Sequence, residues 1–329
     1  MSPFSSQTLL EPISADAPCG ESLEDTQLLA SFDTFRVFGQ STPLDPVPPW
    51  GDIKNRALEA LAKSKDLRVL AFLGSAALRT DGLSAFADTL TVAAKWLEMY
   101  WNPVFPVVSE DAILRRNALN CFADPMGVVD GLRRLPLVTS RVHGIYGLRD
   151  IDIATGQIAA KEGEPRPTED QITGAFGEMP VENLVALHGS AVGAVAALKS
   201  IDSQMREAAG SEATPEFDGL SSQLVKIERF LASQLALRPG HEVASTDGGA
   251  STAGAGQLRG GVIGSRQDAI AALDAVADFF RRTEPSSPIP LFLSRAKRLV
   301  SKDFLEVLAD IAPDAIAQAR VAGGLRDGE

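Results

Sequence analysis

From Trp50 onward, apolar residues recur at helical spacing. Ile53, Ala57, Leu58 and Leu61 share one face, with Asp52 as a candidate N-cap and Lys63-Ser64-Lys65 closing the element. Leu67, Leu70, Ala71, Gly74, Ala77 and Leu78 follow, stopped by Thr80-Asp81-Gly82. A third stripe, Leu83, Phe86, Ala87, Leu90, Ala94, Leu97 and Trp101, ends at Asn102-Pro103. Proline lacks an amide hydrogen and disfavours the α conformation in the residue before it. Joints this short set consecutive helices antiparallel. A fourth helix is predicted over residues 111–123, carried by Ile113, Leu114, Ala118, Leu119 and Phe122.

Between residues 137 and 158 the period fades, and Leu148, Ile151 and Ile153 fit a short strand or an irregular segment equally well. Thr168 then caps a helix whose first turn is acidic, as the helix dipole favours. Two longer helices are predicted over residues 181–209 and 215–235. Their stripes are Leu184, Leu187, Ala191, Val195 and Leu198, and Leu220, Leu224, Ile227 and Leu231.

The pattern breaks at residues 240–264, which hold eight glycines in 25 positions, so this stretch reads as a flexible linker. A Gly-rich coil of that length spans roughly 27 Å root-mean-square. Beyond it, Ser265 and Asp268 open a helix with Ile270, Leu273, Ala277 and Phe280 on one face and Ala269, Ala272, Val276 and Phe279 beside it. Arg281 and Arg282 suit its last turn. Pro285 and Pro288 end it, and Ile289, Phe292, Leu293, Ala296, Leu299 and Val300 make a second helical face. Phe304, Val307, Leu308 and Ile311 form a third before Pro313. The expected fold is all-α, divided into residues 1–150, a middle helical region at 151–239, the linker, and a small helical C-terminal domain at 265–329.

A piece of about 65 residues with apolar residues on more than one helical face hides only about 60% of its unfolded surface as a monomer, and gains from a second copy. A monomeric three-helix appendage is the alternative. Candidate interface residues are Phe279, Phe280, Pro288, Phe292, Leu293, Leu299 and Phe304.

Composition narrows the function. Hydrophobic residues are 45% and charged residues 22% of the 329, values of a packed globular protein. A formal net charge of −12 repels phosphate backbones and anionic membranes, so nucleic acid is not an expected partner. The N-terminal residues lack a basic segment followed by an apolar run of signal-peptide length. No stretch approaches about 18 uninterrupted apolar residues, so direct membrane insertion is not expected and a cytoplasmic location is. Cys19 and Cys121, far apart in sequence, read as reduced structural thiols.

Chemistry-bearing candidates are few. The glycines of 254–264 lack the lysine of a phosphate-binding loop and follow no strand. His143, His188 and His241 have no metal-site spacing. Glu21, Glu24 and Asp25 read as solvated or capping carboxylates rather than a general acid and base. No catalytic residue, metal site or cofactor is expected, and an enzyme is the least supported class. Trp50, Trp96, Tyr100 and Trp101 are candidate partner anchors, since exposed aromatics concentrate binding energy. Trp96 and Trp101, five residues apart, point roughly 140° from each other on a helix, so one of them can face outward. Arg295, Lys297, Arg298 and Lys302 read as a solvated face or as a seam to an acidic neighbouring subunit.

Several stretches carry a resemblance. PCGESLED (18–25), SKDLRVLAFLGSAALRTDGLSAFADTL (64–90), YWNPVFP (100–106), RRNALNCFADPMGV (115–128) and LRRLPLVTSRVHGIYGLRD (132–150) resemble the N-terminal domain of the TssA, or ImpA, family of the bacterial type VI secretion system. EPSSPIPLFLSRAKRL (284–299) and DFLEVLADIAPDA (303–315) resemble the C-terminal domain of its short class. The resemblance implies an all-helical, non-enzymatic structural component whose C-terminal domain forms a homo-oligomeric ring. It further implies contacts with the baseplate, the membrane complex and the contractile tail tube and sheath during assembly, on the cytoplasmic side of the apparatus. A monomeric helical adaptor that holds a partner peptide or helix is the alternative.

Overall fold

The computed structural model describes residues 5–108, 112–161 and 163–238, together with residues 273, 276, 277, 289, 292–294 and 297. Two compact units, Met1–Ser245 and Thr246–Glu329, divide the chain.

The first unit is built around α4 (Leu67–Thr80), which is buried from Val69 to Leu78 without a break. Asp66 caps it by accepting the Arg68 amide at 2.9 Å. Its neighbours α3 (Trp50–Leu61) and α5 (Leu83–Tyr100) flank it. Gly74 makes the close approach to α5 workable. A Cβ there would lie 2.9 Å from Thr89 Oγ1 and 3.0 Å from the Phe122 ring. Short helices α1 (Ser6–Leu10) and α2 (Gln27–Asp33) precede this set. Then come α6 (Ile113–Asn120), a 3-10 turn (Cys121–Ala123), a π turn (Pro125–Val129) and α7 (Asp130–Arg134).

The segment with no clear period forms an antiparallel hairpin, β1 (Pro136–Ser140) and β2 (Gly144–Gly147), followed by α8 (Leu148–Ala154). Thus Leu148 and Ile151 are core residues of a helix, and a strand lies just before them. α9 (Glu169–Glu178) packs on the hairpin, and Thr168 and Gln171 form the capping box at its start.

The two long helices are α10 (Val181–Ala209) and α11 (Asp218–Ala236). Leu220, Leu224, Ile227 and Leu231 are all fully buried, and Leu187 of the α10 stripe is half-buried. α10 lies along α5, with Gln204 donating to the Ala94 carbonyl at 3.2 Å, and α11 returns along α10. This packing removes the division expected at residue 150: residues on both sides share one compact unit and one core.

Three further expectations are corrected. Asp52 lies in the first turn of α3 and Pro49 is the cap, because the Pro49 carbonyl already accepts the Asp52 and Ile53 amides. In α6, Ile113 and Leu114 are 50% and 56% exposed, while Arg115 points inward with Ala118, Leu119 and Phe122. α11 starts at Asp218, three residues beyond Pro215.

In the second unit the described residues are helical, with Ala277 buried, Leu293 half-buried and Phe292 67% exposed. The linker, the Pro285 and Pro288 joint, His241 and the other interface candidates, Phe279, Phe280, Pro288, Leu299 and Phe304, lie outside the described residues.

Candidate functional site

The candidate anchors turn out to hold cations of their own chain. Trp96 is fully buried, so it has no surface to offer a partner, whereas Trp50, Tyr100 and Trp101 are half-buried. Lys65 Nζ lies 5.1 Å from the centre of the Trp96 ring and 5.6 Å from that of Tyr100. Arg79 lies 4.2 Å from the Trp50 ring, and Arg115 lies 4.7 Å from the Trp101 ring.

Each of these cations is spent on backbone carbonyls. Lys65 donates to Leu9 and Glu11 at 2.6 and 2.7 Å. Arg79 donates to Gly127 at 2.7 Å and Met126 at 3.2 Å. Arg115 donates to Trp101, Val104 and Pro106 at 2.8 to 3.1 Å. Burial holds Arg79 and Arg115 down at about 10 and pushes Lys65 below its ordinary value. A carbonyl partner satisfies a buried cation while leaving its net charge in place. The three cations and the four rings they face therefore organise the loops around α4 and α5.

One open feature of the unit is a groove beside α4. Its first chamber, of about 490 Å³, is lined by Leu29, Phe32, Val37, Phe72, Leu114 and Ala118, with Asp33, Arg36 and Arg68 among the polar residues. Under it runs a chain of rings. Phe32 to Phe35, Phe32 to Phe72 and Phe38 to Phe72 have centroids 6.2, 4.9 and 4.6 Å apart. Arg68 is tied to the buried Asp66 carboxylate, with Nη2 and Oδ2 at 2.8 Å.

A second chamber of about 680 Å³ carries Asp124, Glu216 and Asp218. Phe38, Asn117 and Cys121 line both chambers, so the two are adjacent. The wall at residues 36–39 is pinned by Asp124, whose Oδ2 accepts the Gly39 amide at 2.7 Å while Oδ1 accepts those of Met126 and Gly127. Burial pushes the thiols of Cys19 and Cys121 up to about 11, which keeps both protonated at neutral pH.

The remaining candidates do not converge. Glu21, Glu24 and Asp25 are exposed, His143 Nε2 is 3.8 Å from Glu178, and His188 is half-buried on α10. Among the described residues no group of three His, Cys, Asp or Glu side chains is placed to hold a metal ion. The groove was not among the sequence candidates. Its one local signal was Phe32, Phe35 and Phe38 at intervals of three in a short helix and its exit loop.

Comparison with known proteins gives three matches. Residues 10–124 match the family model described as ImpA, N-terminal, type VI secretion system. Type VI secretion system component TssA1 of Pseudomonas aeruginosa is 32% identical over 341 aligned positions, covering 96% of this chain and 97% of the relative. The solved N-terminal domain, including the conserved ImpA_N region, of the TssA component from Burkholderia cenocepacia shares the fold. Its TM-score is 0.56 at 20% identity, covering 71% of this chain and 94% of that one.

Proposed function

Because this chain belongs to the TssA family of type VI secretion components, we propose that it is a non-enzymatic assembly part whose second unit joins copies into a ring. In this reading the first unit of each copy meets other parts of the apparatus: baseplate, membrane complex and tail tube or sheath. Ring formation turns many weak contacts into a strong one, because tethering raises effective concentration toward the millimolar range. The work is done on the cytoplasmic side of the secretion apparatus.

The observation that carries the ring is Phe292, a large apolar side chain left 67% exposed on a helical turn. With Leu293 half-buried beside it, that turn gains by covering itself against another copy. Light scattering of the full chain at tens of micromolar tests the reading. A discrete multimer is expected, falling to monomers in Phe292→Asp/Leu293→Asp with circular dichroism unchanged. A monomeric wild type, or a double variant that stays multimeric, overturns it.

A further inference from the structure

We infer that the groove between the 33–40 segment and α6 is a docking site for a basic amphipathic segment of a partner protein, a function independent of ring formation. Three observations converge. The first chamber, about 490 Å³, has a floor of Phe32, Val37 and Phe72 and an exposed apolar lip in Leu114, so it can take one large apolar side chain. Its charges nearly balance, with Arg36 and Arg68 set against Asp33 and the buried Asp66.

The second chamber does not balance. Asp124, Glu216 and Asp218 line it against two neighbouring cations, Arg116, 3.5 Å from Glu216, and the buried Arg79, which faces Asp124 electrostatically, so one negative charge is left over. Asp124 is committed to three backbone amides and is offset by the buried Arg79, so the excess negative charge sits on Glu216 and Asp218. Glu216 and Asp218 are exposed. The net charge of −12 on the whole chain adds long-range attraction for a cationic partner and repels an anionic one.

The spacing follows from α6, which runs past both chambers. Leu114 lines the first and Asn120 the second, and six residues of helix separate them by about 9 Å. The occupant therefore carries an aromatic or large aliphatic anchor with Lys or Arg about 9 Å further on. With both side chains on one face, that is about seven positions along a helix, or two along an extended strand with the long Lys or Arg side chain spanning the remainder.

A displayed library of random 12-residue peptides, panned against the full chain, tests this. Enriched peptides are expected to share an apolar anchor followed by Lys or Arg at one of those two spacings. The affinity of a synthetic consensus peptide should fall about tenfold or more in Leu114→Glu, where the lip becomes charged. It should fall about fivefold in Glu216→Gln/Asp218→Asn, and further in 0.5 M salt. Leu114, Glu216 and Asp218 are all exposed, so an unchanged thermal melt is expected in these variants. No enriched class, enrichment of acidic or uncharged peptides, or an affinity indifferent to the Glu216→Gln/Asp218→Asn variant overturns the proposal.

Discussion

Lys65 and Trp96 donate to the same oxygen, the Leu9 carbonyl, at 2.6 Å from the ammonium and 2.8 Å from the indole nitrogen. Lys65 also holds Glu11, so one buried ammonium straps the N-terminal segment across α5. In Lys65→Met, Trp96 still satisfies Leu9, while Glu11, near the surface, turns to water. Removing the desolvated charge offsets most of the lost hydrogen bonding. Global stability should therefore change by no more than about 1 kcal/mol. Amide exchange over residues 6–13 should quicken by about tenfold or more. Unchanged exchange there would show that α1 is held by its apolar contacts alone.

Cys19 gives a pH dependence. Burial raises its thiol from 9.0 to about 11 in the folded chain, so between those values the unfolded state loses a proton that the folded state keeps. Its contribution is complete below pH 9 and is lost as pH rises toward 11, by at most about 2–3 kcal/mol. Lys65 runs the other way, since its folded pKa lies below 10.5 and its contribution grows up to that pH. Cys19→Ala should cost about 1 kcal/mol at pH 7 through the small void it leaves. It should also flatten the alkaline decline relative to wild type. Denaturant midpoints from pH 7 to 10.5 measure both effects, and parallel curves would rule out Cys19 as the source.

Arg115 is the buried group whose loss should be felt most. Its guanidinium is fully buried and serves the carbonyls of Trp101, Val104 and Pro106. Arg115→Ala leaves all three without their donor and opens a void, which should cost about 3–5 kcal/mol in urea unfolding. Arg115→Lys keeps the charge but lacks the planar fork, so it should still cost about 2 kcal/mol. A lysine variant as stable as wild type would mean that charge alone matters here.

What was legible in the sequence follows from range. The ends of α4 and α5 could be read because Thr80-Asp81-Gly82 and Asn102-Pro103 act on their own neighbours. The hairpin could not, because Leu137 and Val138 are both buried where β1 departs from regular pairing, which blurs the alternation a strand needs. Arg115 defeated the reading of α6. A cation argues for the surface, and the carbonyls that draw it inward leave no mark in the sequence. The groove was hidden for a similar reason. Asp124 and Gly39, 85 positions apart, meet only after folding, and no local pattern encodes that meeting.

Gly127 ties the groove wall to the core. A Cβ there would stand 2.8 Å from the Val37 carbonyl oxygen, 2.9 Å from the Phe38 ring and 3.0 Å from Asp124 Oδ1. The nearest of these is backbone, so swinging a side chain aside cannot relieve the clash, and the 36–39 segment must move as a unit. That movement weakens the Gly39 to Asp124 hydrogen bond and shifts Phe38 off Phe72, where their rings are now 4.6 Å apart. Gly127→Ala should therefore destabilise the first unit by about 1–3 kcal/mol. It should also weaken consensus-peptide binding by a factor similar to that of Leu114→Glu. Leu114 is exposed and should leave the melt unchanged, so the two substitutions separate wall position from surface chemistry. If Gly127→Ala lowered stability while peptide affinity held, the occupant would not depend on the 36–39 wall.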